Sequence, residues 1–229
     1  MPSIYPVGPL IASPELETHC GSLQWLDNQP ASSVIFVSFG SVNFLSGGQI
    51  GELALGLERS GQRFLWVLRS PPNASNPNVS ALLPPGFEQW TKDRGLVVTS
   101  WAPQVAILAH PSTGGFLSHC GWNSVLESIW FGVPIIAWPL HGDQKLVGYF
   151  LVNDIKMAVG MQKRADEIIT KEEVEKATKE LMKGEEGKKR RERARELKES
   201  AKAALAEGGS SSHALAAVVA VWKAHSYAQ

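Results

Sequence analysis

Side chains that can bind a phosphorylated ligand are concentrated between Trp101 and Gln144. The range holds a tryptophan that can stack on a base, the run His-Cys-Gly-Trp-Asn-Ser at 119–124, and a closing Asp143-Gln144 pair. Histidine, asparagine and serine side chains donate hydrogen bonds, and a glycine in such a run lets the main chain approach an anion. A carboxylate beside an amide offers acceptors and donors for the vicinal hydroxyls of a sugar. Together these residues predict a site for a nucleotide linked to a sugar through a diphosphate.

Each of these features also has an ordinary structural explanation. Ser124 and Glu127 have the spacing of a capping box, so Asn123 or Ser124 would only cap a helix. A lone tryptophan such as Trp101 is more often a core residue, and the pair that begins at Asp143 is more often a helix start. Ligand binding and these structural roles both stay open for each feature alone, and only the combination favours a ligand.

Alternating strands and helices are predicted to position these residues. Apolar runs predict strands at 34–39, 64–68, 96–99, 115–118, 134–138 and 158–159. Helical patterns predict helices between them, at 47–60, 87–93, 103–109, 123–131 and 144–153. Pro103 would lie in the first turn of its helix. This alternation predicts an α/β sheet with right-handed crossovers.

Four of the candidate residues lie just after a predicted strand, namely Ser41, Trp101, His119 and Asp143. In doubly wound sheets, ligands bind beyond the carboxyl ends of the strands. We therefore expect these side chains to converge on one edge of the sheet.

The composition argues against several kinds of partner. The chain has 229 residues and a formal net charge of zero, so it has no overall attraction to nucleic acid or to an anionic membrane. No apolar run reaches the ~18 residues that a membrane helix needs, and the first residues lack the pattern of a secretory signal. The two cysteines, Cys20 and Cys120, lie far apart and indicate a reducing compartment. We therefore expect a cytoplasmic protein.

Three segments are predicted along the chain. Residues 1–33 form a proline-rich, linker-like lead-in, and residues 34–207 form the ligand-binding domain. The basic run at 188–191 lies among glutamates, which predicts a solvated helix face rather than a nucleic-acid site. Residues 208–229 comprise a hinge at 208–212 and a final helix. The apolar stripe of that helix is Leu215, Val218, Val219 and Trp222.

Several short motifs follow one another along the chain at defined spacings. They are Val-Ser-Phe-Gly-Ser at 37–41, Trp-Ala-Pro-Gln at 101–104, His-Cys-Gly-Trp-Asn-Ser at 119–124, Glu127, Gly-Val-Pro at 132–134, Trp-Pro at 138–139 and Asp143-Gln144. In this arrangement the chain resembles plant family-1 UDP-glycosyltransferases. The resemblance covers nearly the whole chain, but it corresponds only to the C-terminal, donor-binding half of such an enzyme.

The resemblance implies both a fold and a set of roles. The fold would be a Rossmann-like doubly wound parallel sheet, the C-terminal domain of a GT-B glycosyltransferase, with extra C-terminal helices. The implied roles are stacking on uracil for Trp101, reading of the uracil edge for the Ala102 main chain, ribose binding for Gln104 and Glu127, diphosphate binding for Ser41, His119, Asn123 and Ser124, and sugar binding for Trp122, Asp143 and Gln144.

Two segments depart from the family pattern. His141-Gly142 stands where members commonly have an aromatic residue followed by a small one, and Val42-Asn43-Phe44 is unusual after Ser41. The acceptor pocket and the His-Asp pair that deprotonates the acceptor belong to the N-terminal half of such enzymes. We therefore expect no catalytic base in this chain.

The expected function is binding of a UDP-sugar, with UDP-glucose as the expected donor, in an inverting transferase that glucosylates small phenolic or other plant secondary metabolites. No metal or other cofactor is expected, since there is no Asp-x-Asp motif. Self-association through the C-terminal helix is expected as well. One alternative is an isolated or engineered donor-binding module without activity. A less favoured alternative is another Rossmann nucleotide-binding protein, although no G-x-G-x-x-G follows the first strand.

Overall fold

A computed structural model of the chain describes residues 3–11, 21–69, 79–99 and 101–226. Within these residues one sheet contains six strands, and every pair of neighbours is parallel. The strands are β1 Val34–Ser38, β2 Arg63–Val67, β3 Gly95–Val98, β4 Thr113–Ser118, β5 Ile135–Ala137 and β6 Ala158–Gly160. Their spatial order is β3-β2-β1-β4-β5-β6. The predicted doubly wound parallel α/β sheet is therefore confirmed.

One helix of the described residues precedes the first strand, and the others lie between and after the strands. They are α1 Gly21–Asp27, α2 Gly47–Ser60, α3 Phe87–Thr91, α4 Gln104–Ala109, α5 Trp122–Phe131, α6 Gln144–Asn153, α7 Lys171–Lys183, α8 Glu185–Leu205 and α9 Ser210–Ser226. The predicted bounds of α2 and α6 are correct to the residue. Pro103 precedes α4 at the N-cap position with a non-helical ψ of 84°, so its predicted place in the first turn is wrong.

The core covers both faces of the sheet because successive residues of a strand point in opposite directions. Ile35 and Val37 of β1 pack into a cluster with α2 and α7, whereas Phe36 packs into a second cluster with α1 and α4. Phe36 also stacks on Phe116 of β4, with ring centroids 5.0 Å apart. A third cluster joins β5 and β6 to α5, α6 and α8. This double burial explains why β1 is apolar at four successive positions, 34–37, rather than alternating.

The sheet order creates a crevice at the carboxyl ends of β1 and β4. From β1 the chain proceeds to β2 on one side, whereas β4 leads to β5 on the other. The loops after β1 and β4 therefore separate in opposite directions. Such a switch point is where doubly wound sheets bind their ligands.

Helix α7 is buried more deeply than helix α8. Val174, Ala177 and Leu181 of α7 are buried in the core, as their helical spacing predicts. In the basic run of α8, Arg190 donates to the Lys156 carbonyl and Arg191 to the Leu181 carbonyl, so only part of that run is solvated.

The hinge before the last helix is shorter than predicted. Helix α9 begins at Ser210, so residues 210–212 are helical and only the two glycines and their neighbours separate α8 from α9. Gly208 has a left-handed φ of 75°, which glycine adopts without strain. Of the predicted stripe, Leu215 and Trp222 are 55% and 68% exposed. In the described part of the chain no helix is both long and apolar enough to cross a membrane.

The lead-in contributes to the core through α1. Leu26 is completely buried in the cluster that contains Phe36 of β1. The Ser112 hydroxyl donates a hydrogen bond to the Leu26 carbonyl at 3.0 Å. The division into residues 1–33, 34–207 and 208–229 stays a prediction.

Candidate functional site

Two serines shape the loops on either side of the crevice. Ser38 and Ser118 end β1 and β4 and are partners in the strand register. The Ser38 hydroxyl accepts a hydrogen bond from the Gly40 amide at 3.3 Å, and the Ser118 hydroxyl accepts one from the Cys120 amide at 3.2 Å. Each hydroxyl thereby turns the main chain directly after its strand. Neither serine could be recognised from the sequence, since a serine that ends a strand is not distinctive by itself.

Cys120 holds a strained conformation at the tip of the β4 loop. Its φ of 65° lies in the left-handed region, which costs a residue with a side chain of order 1–3 kcal/mol. The thiol is completely buried and donates to the Ser118 carbonyl at 3.6 Å. Burial raises the pKa of this thiol to about 12. Cys120 is therefore a thiol at neutral pH and shapes the loop rather than acting as a nucleophile.

His119 is enclosed by the main chain of two glycines. A Cβ atom at Gly40 would lie 2.8 Å from the imidazole Cε1, and one at Gly121 would overlap the ring, with Nε2 the nearest atom. The side chain is 8% exposed, and its buried Nδ1 makes no hydrogen bond of good geometry. Burial, and then the neighbouring His141, lower the pKa of His119. A neutral imidazole fixed at the switch point can donate one hydrogen bond to a ligand.

The N-terminus of α5 lies beside this imidazole and carries free amide groups. The first hydrogen bond of the helix runs from the Val125 amide to the Gly121 carbonyl at 3.0 Å. The amides of residues 122–124 therefore have no partner within the helix, and no side chain caps them. Such a terminus favours an anion through its N–H groups and through the helix dipole.

The capping-box alternative is wrong. Gly121 occupies the N-cap position in an extended conformation, which places Asn123 and Ser124 inside the first turn. The Ser124 hydroxyl instead accepts a hydrogen bond from Nε2 of Gln104 at 3.0 Å. The predicted structural role of Asn123 or Ser124 as a cap is thereby removed, and the amides stay available.

Gln104 and Glu127 form a polar pair beside the same terminus. Nε2 of Gln104 donates to Oε2 of Glu127 at 2.6 Å as well as to Ser124. Burial raises the pKa of Glu127, and the hydrogen bond from Gln104 opposes that rise. Since the amide donors of Gln104 face the protein, the oxygen atoms of the pair are left to accept. Acceptors in this arrangement are complementary to sugar hydroxyl groups.

Trp101 lies on the surface rather than in the core. Its side chain is 66% exposed, whereas the neighbouring Ala102 is buried. Trp101 follows β3 and precedes α4, the helix that Gln104 begins. The core alternative for Trp101 is therefore wrong, and the indole offers an open face for stacking. Trp122, at the start of α5, is also exposed, by 54%.

Asp143 and Gln144 begin α6 after β5. The pair lies at a helix start, as the ordinary alternative predicts, because Asp143 occupies the N-cap position of α6. Its exposed carboxylate, however, makes no capping hydrogen bond. Gln144 is 7% exposed, and its Oε1 accepts from the amides of Leu140 at 3.1 Å and His141 at 3.3 Å. Its Nε2 makes no hydrogen bond within the described residues. Gln144 thus holds the loop with one end of its amide and presents a donor with the other.

The loop that carries Ser41 is anchored by a residue that the sequence analysis missed. Nη1 of Arg69 donates to the Ser41 carbonyl at 2.6 Å, and the Arg69 guanidinium lies 6.0 Å from the ring centroid of Phe44. Ser41 itself is exposed. Arg69 follows β2, and no motif at that position indicated a contact with the neighbouring loop. Among the described residues no group of three or more acidic, cysteine or histidine side chains can hold a metal ion.

Comparison with known proteins identifies the family of this site. Residues 1–198 match the model of the UDP-glucoronosyl and UDP-glucosyl transferase family. The chain is 49% identical to UDP-glycosyltransferase 72B1 of Arabidopsis thaliana, covering 98% of this chain and 49% of that protein. It is 50% identical to hydroquinone glucosyltransferase of Rauvolfia serpentina, covering 97% of this chain and 50% of that protein.

A solved structure supports the same assignment. Phytolacca americana UGT2, complexed with UDP-2fluoro-glucose and pterostilbene, superposes with a TM-score of 0.90 at 50% identity over 97% of this chain and 49% of that chain. The chain thus spans about half the length of the relatives it matches. The fold, the site at the switch point and these matches agree, and the chain belongs to the UDP-glucoronosyl and UDP-glucosyl transferase family.

Proposed function

We propose that this chain binds UDP-glucose as the donor half of an inverting glycosyltransferase that glucosylates small phenolic or related plant metabolites. The observation that carries the proposal is the placement of His119. Two glycines hold its imidazole at the switch point, directly beside the unpaired amides of α5. A diphosphate needs such a combination of close main-chain approach, N–H donors and a positive dipole end.

The donor would extend along the carboxyl edge of the sheet. In this proposal uracil stacks on Trp101 and meets the main chain of Ala102, and the ribose hydroxyls meet the acceptor atoms of Gln104 and Glu127. The diphosphate lies at α5, with Ser41, His119, Asn123 and Ser124 as its donors. The glucose hydroxyls meet Trp122, Asp143 and Gln144. Each group of side chains thereby meets the part of the donor that its chemistry matches.

The proposed reaction is a displacement at the anomeric carbon. An acceptor oxygen attacks that carbon on the face opposite the diphosphate, a new carbon–oxygen bond forms, and the bond to UDP breaks with inversion. The leaving diphosphate gains negative charge, which the α5 amides and the imidazole of His119 are placed to stabilise. The acceptor proton passes to a base, which we assign to the other half of the complete enzyme. No metal ion is required, because these fixed donors meet the charge.

The activities of the relatives support this choice of donor and acceptor. One relative is a hydroquinone glucosyltransferase, another is an anthocyanidin 5,3-O-glucosyltransferase of a Rosa hybrid cultivar, and the solved structure of Phytolacca americana UGT2 contains a UDP-glucose analogue with pterostilbene. We also propose a cytoplasmic location, since a buried free cysteine such as Cys120 is common in reducing compartments.

A second candidate function is donor binding without transfer by this chain alone. The observation that favours it is the coverage of about half of each relative. Two assays separate the possibilities. We expect isothermal titration calorimetry to show binding of UDP and UDP-glucose, and we expect the purified chain to transfer no glucose to hydroquinone. Joined to the N-terminal half of Phytolacca americana UGT2, the chain should become active. Failure to bind either ligand contradicts the proposed function, and turnover by the chain alone places the base within it.

A further inference from the structure

The two segments that depart from the family pattern are joined by one hydrogen bond. Nε2 of His141 lies 2.5 Å from Oδ1 of Asn43. Asn43 belongs to the loop after β1, and His141 belongs to the loop after β5. Since β4 lies between β1 and β5 in the sheet, this bond spans the end of β4, from which His119 emerges. The two departures therefore form one feature at the centre of the site.

The orientation of this bond is fixed by the rest of the network. Asn43 is 8% exposed, and its Nδ2 donates to the Phe39 carbonyl at 2.8 Å. Its Oδ1 must then face His141, because the flipped amide would place two oxygens against each other. Nε2 of His141 therefore carries a proton and donates. His141 is otherwise exposed, and its Nδ1 has no hydrogen bond within the described residues.

Each of the two loops is also anchored at a second point. Arg69 holds the Ser41 carbonyl of the β1 loop, and Gln144 holds the Leu140 and His141 amides of the β5 loop. The Asn43–His141 bond thus connects two loops that are each held by a further hydrogen-bonding side chain. It fixes the separation between Ser41 on one side and Asp143 on the other.

We propose that Asn43 and His141 form a strap that positions the sugar loop relative to the diphosphate loop and so determines how strongly the site prefers UDP-hexose to UDP. This inference rests on the proposed function, which assigns diphosphate binding to the β1 loop and hexose binding to the β5 loop. Of these two loops UDP contacts only the first, whereas UDP-glucose requires both at the correct separation. Loss of the strap should therefore weaken UDP-glucose binding more than UDP binding. Both strap residues are positioning residues.

Four variants of the chain test the strap by calorimetry with UDP and with UDP-glucose. His141→Phe removes the donor and restores the aromatic side chain common in the family, and Asn43→Leu removes the acceptor. The double variant completes a thermodynamic cycle. His141→Gln is the matched control, since its Nε2 can donate to Asn43 from nearly the same place as the imidazole Nε2. His141 is exposed, so its two variants still decide the matter if Asn43→Leu does not fold.

We expect His141→Phe and Asn43→Leu each to weaken UDP-glucose binding about 3- to 10-fold, the effect of one net hydrogen bond, with UDP affinity changed less than 2-fold. The double variant should lose no more UDP-glucose affinity than the weaker-binding of His141→Phe and Asn43→Leu. His141→Gln should keep at least half of the wild-type preference for UDP-glucose over UDP. Equal losses for both ligands, additive losses, or the same loss in His141→Gln would overturn the proposal.

A ligand-independent measurement separates this inference from the proposed function. Long-range ¹H–¹⁵N spectra of the unliganded chain should show the Nε2-protonated tautomer of His141, and Asn43→Leu should reduce its population. A wild-type chain that shows this tautomer but binds neither ligand would refute the proposed function while leaving the strap in place. A wild-type chain that binds UDP-glucose with His141 in the Nδ1-protonated tautomer would refute the strap.

Discussion

Replacing Gly121 with alanine tests the placement of His119 without touching the imidazole itself. A methyl carbon at Gly121 would lie 3.0 Å from Cε1 and 3.1 Å from Cδ2 of His119, and closer still to Nε2. These separations are short of the ~3.5 Å at which carbon atoms normally pack, so the ring must turn away. Gly121 has φ −63° and ψ 139°, which alanine adopts without strain, so the main chain is not the cause of any effect.

The expected loss follows from the bond that His119 would make. A hydrogen bond to a charged group contributes about 1.5–3 kcal/mol, so UDP affinity should fall about 10- to 150-fold in Gly121→Ala. Calorimetry with UDP measures this loss, and a thermal melt confirms that the variant is folded. Gly51→Ala is the control, because a Cβ there meets open space on α2 and should leave UDP binding unchanged.

A double-mutant cycle identifies the cause of the loss. In a His119→Ala background the added methyl group at Gly121 has no ring to displace, so Gly121→Ala should then change UDP affinity by less than about 3-fold. An equally large loss in that background would show that the methyl group disturbs the α5 terminus itself. Wild-type affinity in Gly121→Ala would refute the role of His119 altogether.

Three further predictions concern other parts of the chain. Trp101→Ala should weaken UDP binding by about 1–3 kcal/mol, as expected for loss of base stacking. Trp90→Ala, at a similarly exposed tryptophan on α3, should leave UDP binding unchanged. Unchanged UDP affinity in a folded Trp101→Ala variant would exclude stacking. Gln144→Glu keeps the acceptor for the loop amides but loses the free donor. UDP-glucose affinity should therefore fall about 3- to 10-fold while UDP affinity stays unchanged. Equal losses of affinity for both ligands would make Gln144 purely structural. Deleting residues 213–229 should make the chain more monomeric in sedimentation velocity, because the apolar stripe on α9 is exposed. A full-length chain that is monomeric at high concentration, with α9 protected from hydrogen exchange, would contradict self-association through α9.

The sheet could be predicted because its signals are local. The run at 34–37 is apolar and buried at every position, which only a strand covered on both faces requires. The expectation that Ser41, Trp101, His119 and Asp143 lie at one edge follows from the direction of parallel strands. Helix ends were less predictable, since at α5 a capping box and a glycine N-cap compete within three residues, and the sequence alone does not decide between them.

The side-chain network of the site was largely beyond prediction. Asn43 and His141 are 98 positions apart, and the hydrogen bond that joins them depends on two loops meeting across β4. The signal available was their departure from the family pattern, which marked both segments but not their contact. Likewise, the helical position of Gln144 was predictable, whereas the use of its Oε1 by the preceding loop depends on a fold of residues 140–143 that no local rule specifies.

Titration of the ¹⁵N-labelled chain with UDP-glucose tests the central claim most directly. Saturable changes should appear at the amides of residues 119–124, at the indole N–H of Trp101 and at the side-chain amide of Gln144. UDP should reproduce the changes at Trp101 and at 119–124 but leave Gln144 nearly unchanged, and NAD⁺ should cause none of them. Absence of saturable changes, or changes confined to the opposite edge of the sheet, would contradict a donor site at the β1–β4 switch point.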